Sequence, residues 1–170
     1  MTDDVRLADP LAAVRALPKG SLVVLRAGDA ARRATLAVRL RALARERGLI
    51  LLVADDPVLA RVTGASGLHL PERRAHEAGH WRAKNPHWLI SASAHSLRSA
   101  LQAGHADMIF LSPVFVTASH RLAKPLSAPR ARLIARGLKR PVFALGGVTA
   151  RNASLLPGFS GIAAIGALIV

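Results

Sequence analysis

Short apolar runs that alternate with longer amphipathic stretches constrain this chain more than any other feature. The runs are Leu22–Leu25, Leu49–Val53, Gly67–Leu70, Trp88–Ala92, Met108–Leu111, Val142–Leu145 and Gly161–Ile165. They are apolar on both faces, the pattern of strands covered by helices on either side. The stretches between them predict helices at Ala30–Arg47, Pro57–Thr63, Ser96–Ala103, Pro129–Leu138 and Thr149–Leu155, with one more at Pro10–Leu17 ahead of the first strand. Pro71–Pro86 mixes helix formers with Gly79 and scattered charges and predicts no single element. Repeated β-α units of this kind fit a parallel sheet, either a (β/α)₈ barrel or a doubly wound sheet. At 170 residues and seven strands, the chain is short for a barrel. Its pattern begins with a helix and stops after a strand, so a first strand and a closing helix are expected to be missing. Met1–Ala8 or a partner chain is expected to cover the gap this leaves. Nothing divides the sequence, so a single domain over residues 1–170 is expected.

In a parallel α/β protein, chemistry gathers at the C-terminal ends of the strands. Those positions hold Arg26, Asp55 with Asp56, His69 with Glu72, Ser93 with His95, Ser112 through His120, Gly146 with Gly147, and Gly166. In Ala144-Leu145-Gly146-Gly147-Val148-Thr149, two glycines follow a strand and open a predicted helix. Glycines there let backbone N–H groups approach an anion, and a helix start adds partial positive charge. The competing explanation is a tight turn. The loop from Ser112 to His120 offers hydroxyl donors at Thr117 and Ser119 for a phosphate. Ser93 and His95 follow a strand and are placed toward the same end, although His95 could equally cap the next helix. Asp55-Asp56 precedes Pro57, a pattern for a helix cap or a cation site. His69 sits within a strand and reads as a packed, hydrogen-bonded histidine.

The chain carries a formal charge of +14. Its arginines spread over several helices, aromatics make up 4% and tyrosine is absent, which argues against a base-stacking nucleic-acid surface and for attraction of phosphorylated small molecules. The absence of cysteine removes disulfides, thiolate metal sites and a cysteine nucleophile. No apolar run is long enough for a membrane span, which needs about 18 residues or more. The polar start Met1-Thr2-Asp3-Asp4 lacks the features of a secretory signal, so a cytoplasmic location is expected. His76 and His80 have helical spacing, but Gly79 between them and the lack of a carboxylate in a convincing setting argue against zinc.

Four segments, in order, resemble the thiamine phosphate synthase/TenI family from about Leu22 onward. Gly67-Leu68-His69-Leu70 is similar to that family's G-V-H-L strand, and Ser91-Ala92-Ser93-Ala94-His95-Ser96 to its G-x-S-x-H-[TS] turn. Ser112-Pro113-Val114-Phe115-Val116-Thr117 is similar to its G-P-V-F-x-T loop, and Ala144-Leu145-Gly146-Gly147-Val148 to its A-I-G-G-I turn. The resemblance implies a TIM (β/α)₈-type barrel, here incomplete. It implies a magnesium-dependent reaction that joins a pyrimidine pyrophosphate to a thiazole phosphate, or, in the TenI branch, a thiazole tautomerisation. Carried onto this sequence, the implied catalytic positions are Arg26, Ser93, Thr117 and His120. The implied phosphate contacts are Arg26, Ser93, His95, Thr117, Ser119, Lys124, Gly146, Gly147 and Gly166. The implied metal ligands are Asp55 and Glu72.

The departures concentrate at the metal end. Where the synthase has Q-L-R-x-K, this chain has Val24-Leu25-Arg26-Ala27-Gly28, and N-D becomes Ala54-Asp55. Arg74 stands near the place of a second magnesium-binding aspartate. The pyrophosphate-loop lysine becomes His120 with Lys124 close by, a serine after the last strand becomes Gly166, and the TenI histidine becomes Pro113. Four functions follow as expectations: a divergent synthase with a weakened magnesium site, a non-catalytic binder or regulator that keeps the thiazole phosphate site, a TenI-like thiazole tautomerase, or a basic nucleic-acid-associated domain.

Overall fold

The computed structural model describes residues 1–2, 9–26, 29–117 and 124–165. Seven parallel strands alternate with helices along the chain. The chain divides into two compact units, one of Met1–His69, His87–Leu89 and Ile165, the other of Leu70–Pro86 with Ile90–Ala164.

In the first unit, helix α1 (Pro10–Arg15) leads to β1 (Leu22–Leu25), α2 (Ala30–Arg47), β2 (Ile50–Ala54), α3 (Pro57–Val62) and β3 (Gly67–Leu70). The Asp9 and Asp29 side chains cap α1 and α2 by accepting backbone N–H groups of the first turn. Gly48 ends α2 in the left-handed region, φ 64°, and the strand restarts two residues later. β1 and β2 pair parallel from Leu22↔Ile50 to Leu25↔Val53, and β2 pairs β3 from Leu52↔Gly67 to Ala54↔His69. Strand residues Val24, Leu25, Leu51, Leu52, Val53 and Leu68 are fully buried, and α2 brings Ala37, Leu40 and Ala44 to the core. The expected cover for the edge of β1 begins where the sequence placed it. Thr2 is buried, its N–H donates to the Val24 carbonyl at 2.9 Å, and its hydroxyl exchanges hydrogen bonds with the Arg26 backbone. The rest of Met1–Ala8, residues 3–8, lies outside the described residues.

The second unit holds a 3-10 helix (Glu72–Glu77) running into α4 (Ala78–Lys84), then β4 (Leu89–Ala94), α5 (Leu97–Gln102), β5 (Met108–Leu111), α6 (Ala128–Gly137), β6 (Val142–Ala144) and β7 (Gly161–Ile162). β4 pairs β5 from Ser91↔Met108 to Ala94↔Leu111, β5 pairs β6 from Ile109↔Val142, and β6 pairs β7 from Phe143↔Gly161. Ile90, Ala92, Ile109, Leu111, Ala131 and Ala144 form its buried centre, and the Phe110 and Phe143 rings meet at 5.6 Å.

Three expectations need correction. The strand placed at Trp88–Ala92 runs from Leu89 to Ala94, so Ser93 lies inside it, in register with Phe110, and does not follow it. The helix expected over Thr149–Leu155 does not form; a 3-10 turn at Ala153–Leu155 replaces it. Asn152 is the reason. Its Oδ1 accepts the Thr149 N–H at 2.8 Å and its Nδ2 donates to the Gly147 carbonyl at 2.9 Å, closing a turn where helix would begin. The last strand is also shorter than the expected Gly161–Ile165. Among the described residues, no helix is long and apolar enough to cross a membrane.

Gly67 opens β3 against Leu89 of the same unit. Leu89 N–H donates to the Ser66 carbonyl at 3.0 Å, and a Cβ on residue 67 would stand 1.9 Å from the Leu89 carbonyl oxygen. Gly67→Ala is therefore expected to force Leu89 away and cost at least about 2 kcal/mol, read from denaturant unfolding. Gly137→Ala, at the end of α6 with open space around it, is expected to change the midpoint little. Equal behaviour of the two variants would refute the backbone-contact explanation.

Candidate functional site

Each unit carries its own set of strand-end residues. In the first, Arg26 follows β1, and Ala27 and Gly28 after it lie outside the described residues. Asp55 follows β2 in the left-handed region, φ 57°, and its N–H donates to the His69 carbonyl at 2.9 Å. Aspartate tolerates that conformation better than most side chains. The turn it makes frees Asp56 for the cap expected before Pro57. Asp56 Oδ1 accepts the Leu59 N–H at 2.9 Å, and Oδ2 pairs with Arg33 at 3.1 Å. His69 is the packed strand histidine the sequence suggested, 5% exposed. Burial, then the nearby Arg26 and the amino terminus, push its pKa down to about 4 against a partial opposing pull from Asp55. It is neutral at pH 7.

In the second unit, Glu72 does not point to a free carboxylate. Its Oε2 accepts both the backbone N–H and the Nδ1 of His95, each at 2.6 Å. Burial raises the Glu72 carboxyl, but hydrogen bonds from Ser99 and His95 outweigh it and hold the group below its ordinary value. The alternative role for His95 as a helix cap is not what the structure shows. Ser96 caps α5 in a reciprocal capping box with Ser99, and His95 lies outside, half exposed and tied to Glu72. Arg74 is likewise engaged. Its Nε and Nη2 donate to the two carboxylate oxygens of Glu77 at 2.7 Å each, and Trp81 Nε1 donates to the same carboxylate at 3.0 Å. With Arg74 first among the causes, the Glu77 carboxyl is held at about 2. Arg74 thus presents a neutralised pair and not the bare cation its position suggested. Among the described residues, no group of three or more histidine and carboxylate side chains gathers as a metal site, His76 and His80 included.

The loop and turn segments meet by backbone. Val114 N–H donates to the Leu145 carbonyl and Phe115 N–H to the Gly146 carbonyl, each at 3.0 Å, which zips the Ser112–Thr117 loop onto the glycine turn. Gly146 and Gly147 both lie in the left-handed region, φ 89° and 67°. A Cβ on Gly147 would stand 2.3 Å from the Val116 carbonyl oxygen, and one on Gly146 2.9 Å from Pro113. The tight-turn explanation therefore accounts for both glycines by itself. Yet among the described residues no acceptor takes the N–H groups of Gly146, Gly147 or Val148. Successive N–H groups on such a turn form an anion-binding concavity. Thr117 adjoins this turn through Val116, and Lys124 is exposed where the described chain resumes. Ser119, His120 and Gly166 lie outside the described residues.

Sequence reasoning overlooked Asn152, Ser99 and Glu77. The spacings Thr149-x-x-Asn152 and Ser96-x-x-Ser99 were visible as local capping patterns. Glu77 three residues after Arg74 was visible as a helical ion pair.

A sequence model described as thiamine monophosphate synthase matches residues 2–168. The thiamine-phosphate synthase of Geobacillus kaustophilus is 32% identical over 139 residues, covering 78% of this chain and 62% of that protein. That of Bordetella bronchiseptica is 37% identical over 157 residues, covering 85% of this chain and 72% of that protein. This chain thus spans less than two thirds of the length of the Geobacillus relative. The solved structure of a thiamine phosphate pyrophosphorylase from Pyrococcus furiosus superposes with a TM-score of 0.79 at 26% identity, covering 96% of this chain and 82% of that one. The seven parallel β-α units therefore belong to an incomplete TIM-type fold.

His69 supplies a test in acid. The unfolded histidine titrates near 6.5 and the folded one near 4, so the unfolded chain binds the extra proton between those values. Stability is expected to be full above pH 6.5 and to fall by about 3 kcal/mol by pH 4, where this contribution levels. His69→Gln is expected to flatten that part of the profile in denaturant titrations. Parallel profiles for the two proteins would sink the assignment.

Proposed function

The chain belongs to the thiamine monophosphate synthase family, and on that footing we propose that it is one barrel domain that binds a phosphorylated thiazole. The phosphate is taken by the backbone N–H groups of Gly146, Gly147 and Val148, with Thr117 beside them and Lys124 drawing the anion in. What supports this reading most is that run of three N–H groups without a described acceptor on a left-handed turn. The helix start that the sequence suggested contributes nothing, since Thr149–Asn152 is a closed turn. Ser119, His120 and Gly166 remain part of the proposal by their position in the sequence.

The reaction implied by the family forms a bond from the thiazole nitrogen to the pyrimidine methylene carbon. The carbon–oxygen bond to pyrophosphate breaks, and the pyrophosphate leaves with the electron pair. Magnesium would stabilise that leaving group in the family's enzymes. The side chains here fit the ion poorly. Glu72, one of the two expected ligands, already accepts two hydrogen bonds from His95 on one carboxylate oxygen. No step is therefore routed through the metal, and magnesium-dependent turnover is proposed to be low. Arg26, Ser93 and His95 are proposed as further substrate contacts, Arg26 for the pyrophosphate charge.

Calorimetry with thiazole phosphate, with and without magnesium, together with a thiamine phosphate assay, is the direct test. Binding with little turnover supports this reading, whereas robust turnover that collapses on chelation refutes the poor metal fit. Failure to bind thiazole phosphate, with salt-dependent affinity for DNA, would favour the nucleic-acid function. Gly147→Val is a poor probe of the phosphate, because it collides with the loop whether or not a ligand binds. Asn152→Ala, which unlatches the turn, is expected to weaken thiazole phosphate about tenfold, or ~1.4 kcal/mol. Unchanged affinity would place the phosphate elsewhere. Arg74→Asp is expected to raise magnesium affinity if the lost acid is the main defect, at the expense of freeing Glu77.

A further inference from the structure

We propose that Ser127 is a positioning residue whose strained backbone latches the Ser112–Thr117 loop onto the glycine turn through Leu126. The part this gives Ser127 in anion binding rests on the phosphate reading above, whereas the latch itself does not. All the residues that carry it belong to the second unit.

Ser127 stands at φ 65° and ψ 150°, directly before α6. That region of backbone space belongs almost entirely to glycine, and a residue with a β-carbon stays there only where its surroundings compel it. The side chain supplies no such compulsion. Ser127 is exposed, and its hydroxyl makes no capping bond to the first turn of α6. A serine that caps a helix takes extended backbone and accepts an N–H of that turn, so the usual reason for serine at a helix start is missing here.

The compulsion comes from the backbone on both sides. Behind Ser127, the Leu126 N–H donates to the Pro113 carbonyl at 2.9 Å. Ahead of it, the Ala131 N–H donates to the Ser127 carbonyl at 3.0 Å and starts the helix. The sequence Lys124-Pro125-Leu126-Ser127-Ala128-Pro129 concentrates the bend. Each proline fixes its own φ and restricts the residue before it, so the backbone freedom between them falls to Leu126 and Ser127. Meeting both hydrogen bonds with so few free angles leaves Ser127 in the left-handed region.

Pro113 carries the effect onward. Its carbonyl holds Leu126, and its Cα lies against Gly146, where an added Cβ would meet it at 2.9 Å. The next two residues, Val114 and Phe115, donate to the Leu145 and Gly146 carbonyls. Release of Leu126 thus frees Pro113, and with it the pair of bonds that hold the loop on the turn bearing the N–H groups of Gly146, Gly147 and Val148. Because opening relieves Ser127, the latch is the joint of this series that yields first.

Hydrogen exchange on the full chain, followed by NMR at the Leu126 and Phe115 amides, tests this with three variants. Ser127→Gly removes the strain and is expected to slow exchange at both amides about fivefold. Ser127→Val, whose branched side chain resists positive φ, is expected to speed it about tenfold. Ser127→Ala, which lacks only the hydroxyl, is expected to match the parent. Far-UV circular dichroism is expected to be the same in all of them, which separates release of the latch from loss of fold. Thiazole phosphate affinity is expected to follow the same order, with the valine variant about tenfold weaker than the parent. Equal exchange in the glycine and valine variants, or a change at Leu126 that Phe115 does not share, would overturn the latch. An alanine variant that behaves like valine would do the same, because it would assign the effect to the hydroxyl. Exchange in the expected order with identical affinity throughout would overturn the positioning role. If the parent binds no thiazole phosphate while exchange follows the expected order, the function proposed above fails and the latch stands.

Discussion

Strands β1 to β6 are short and buried along most of their length, so their backbone groups depend on a neighbouring strand for partners. β3 is the extreme case, buried at all four residues from Gly67 to Leu70. A buried N–H or carbonyl without a partner costs roughly 1–3 kcal/mol. The parallel registers of both units are thus not a choice among alternatives but the condition under which these sequences fold at all. The close approach of Gly67 to Leu89 and the pairing of Thr2 with Val24 follow from the same demand. Where a strand neighbour is lacking, the chain finds another backbone or hydroxyl to stand in.

The architecture was legible because its signal is repetitive. Apolar runs such as Met108–Leu111 and Gly67–Leu70 appear in the structure with the bounds read from their residues alone. Long α2 was equally clear, with Asp29 to start it and Gly48 to stop it. The errors fall where one side chain outbids periodicity. Thr149–Leu155 has helical character, but Asn152 offers the backbone a competing set of hydrogen bonds. Ser93 was placed beyond a strand because its polarity resembles a strand end, although the ladder to Phe110 carries through it.

The candidate site was legible as a set of positions and much less so as chemistry. Asp55, Glu72, Ser93, His95, Thr117 and the two glycines could all be marked from strand ends. What each does depends on neighbours distant in sequence. Glu72 became a ligand for His95 across 23 residues, a pairing no local pattern announces. Arg74 has its partner only three residues away, yet the competing idea of a lost metal acid drew attention past it.

The glycine turn has a consequence for how this protein's history is read. Gly146 and Gly147 are required twice over, by left-handed backbone and by the loop pressed against them. A descendant that had shed its chemistry would still be held to glycine at both places by folding alone. Selection on stability and selection on catalysis thus leave the same mark there. The exposed Lys124 is under no such folding demand, so its side chain could vary with the fold unchanged while both glycines stayed fixed.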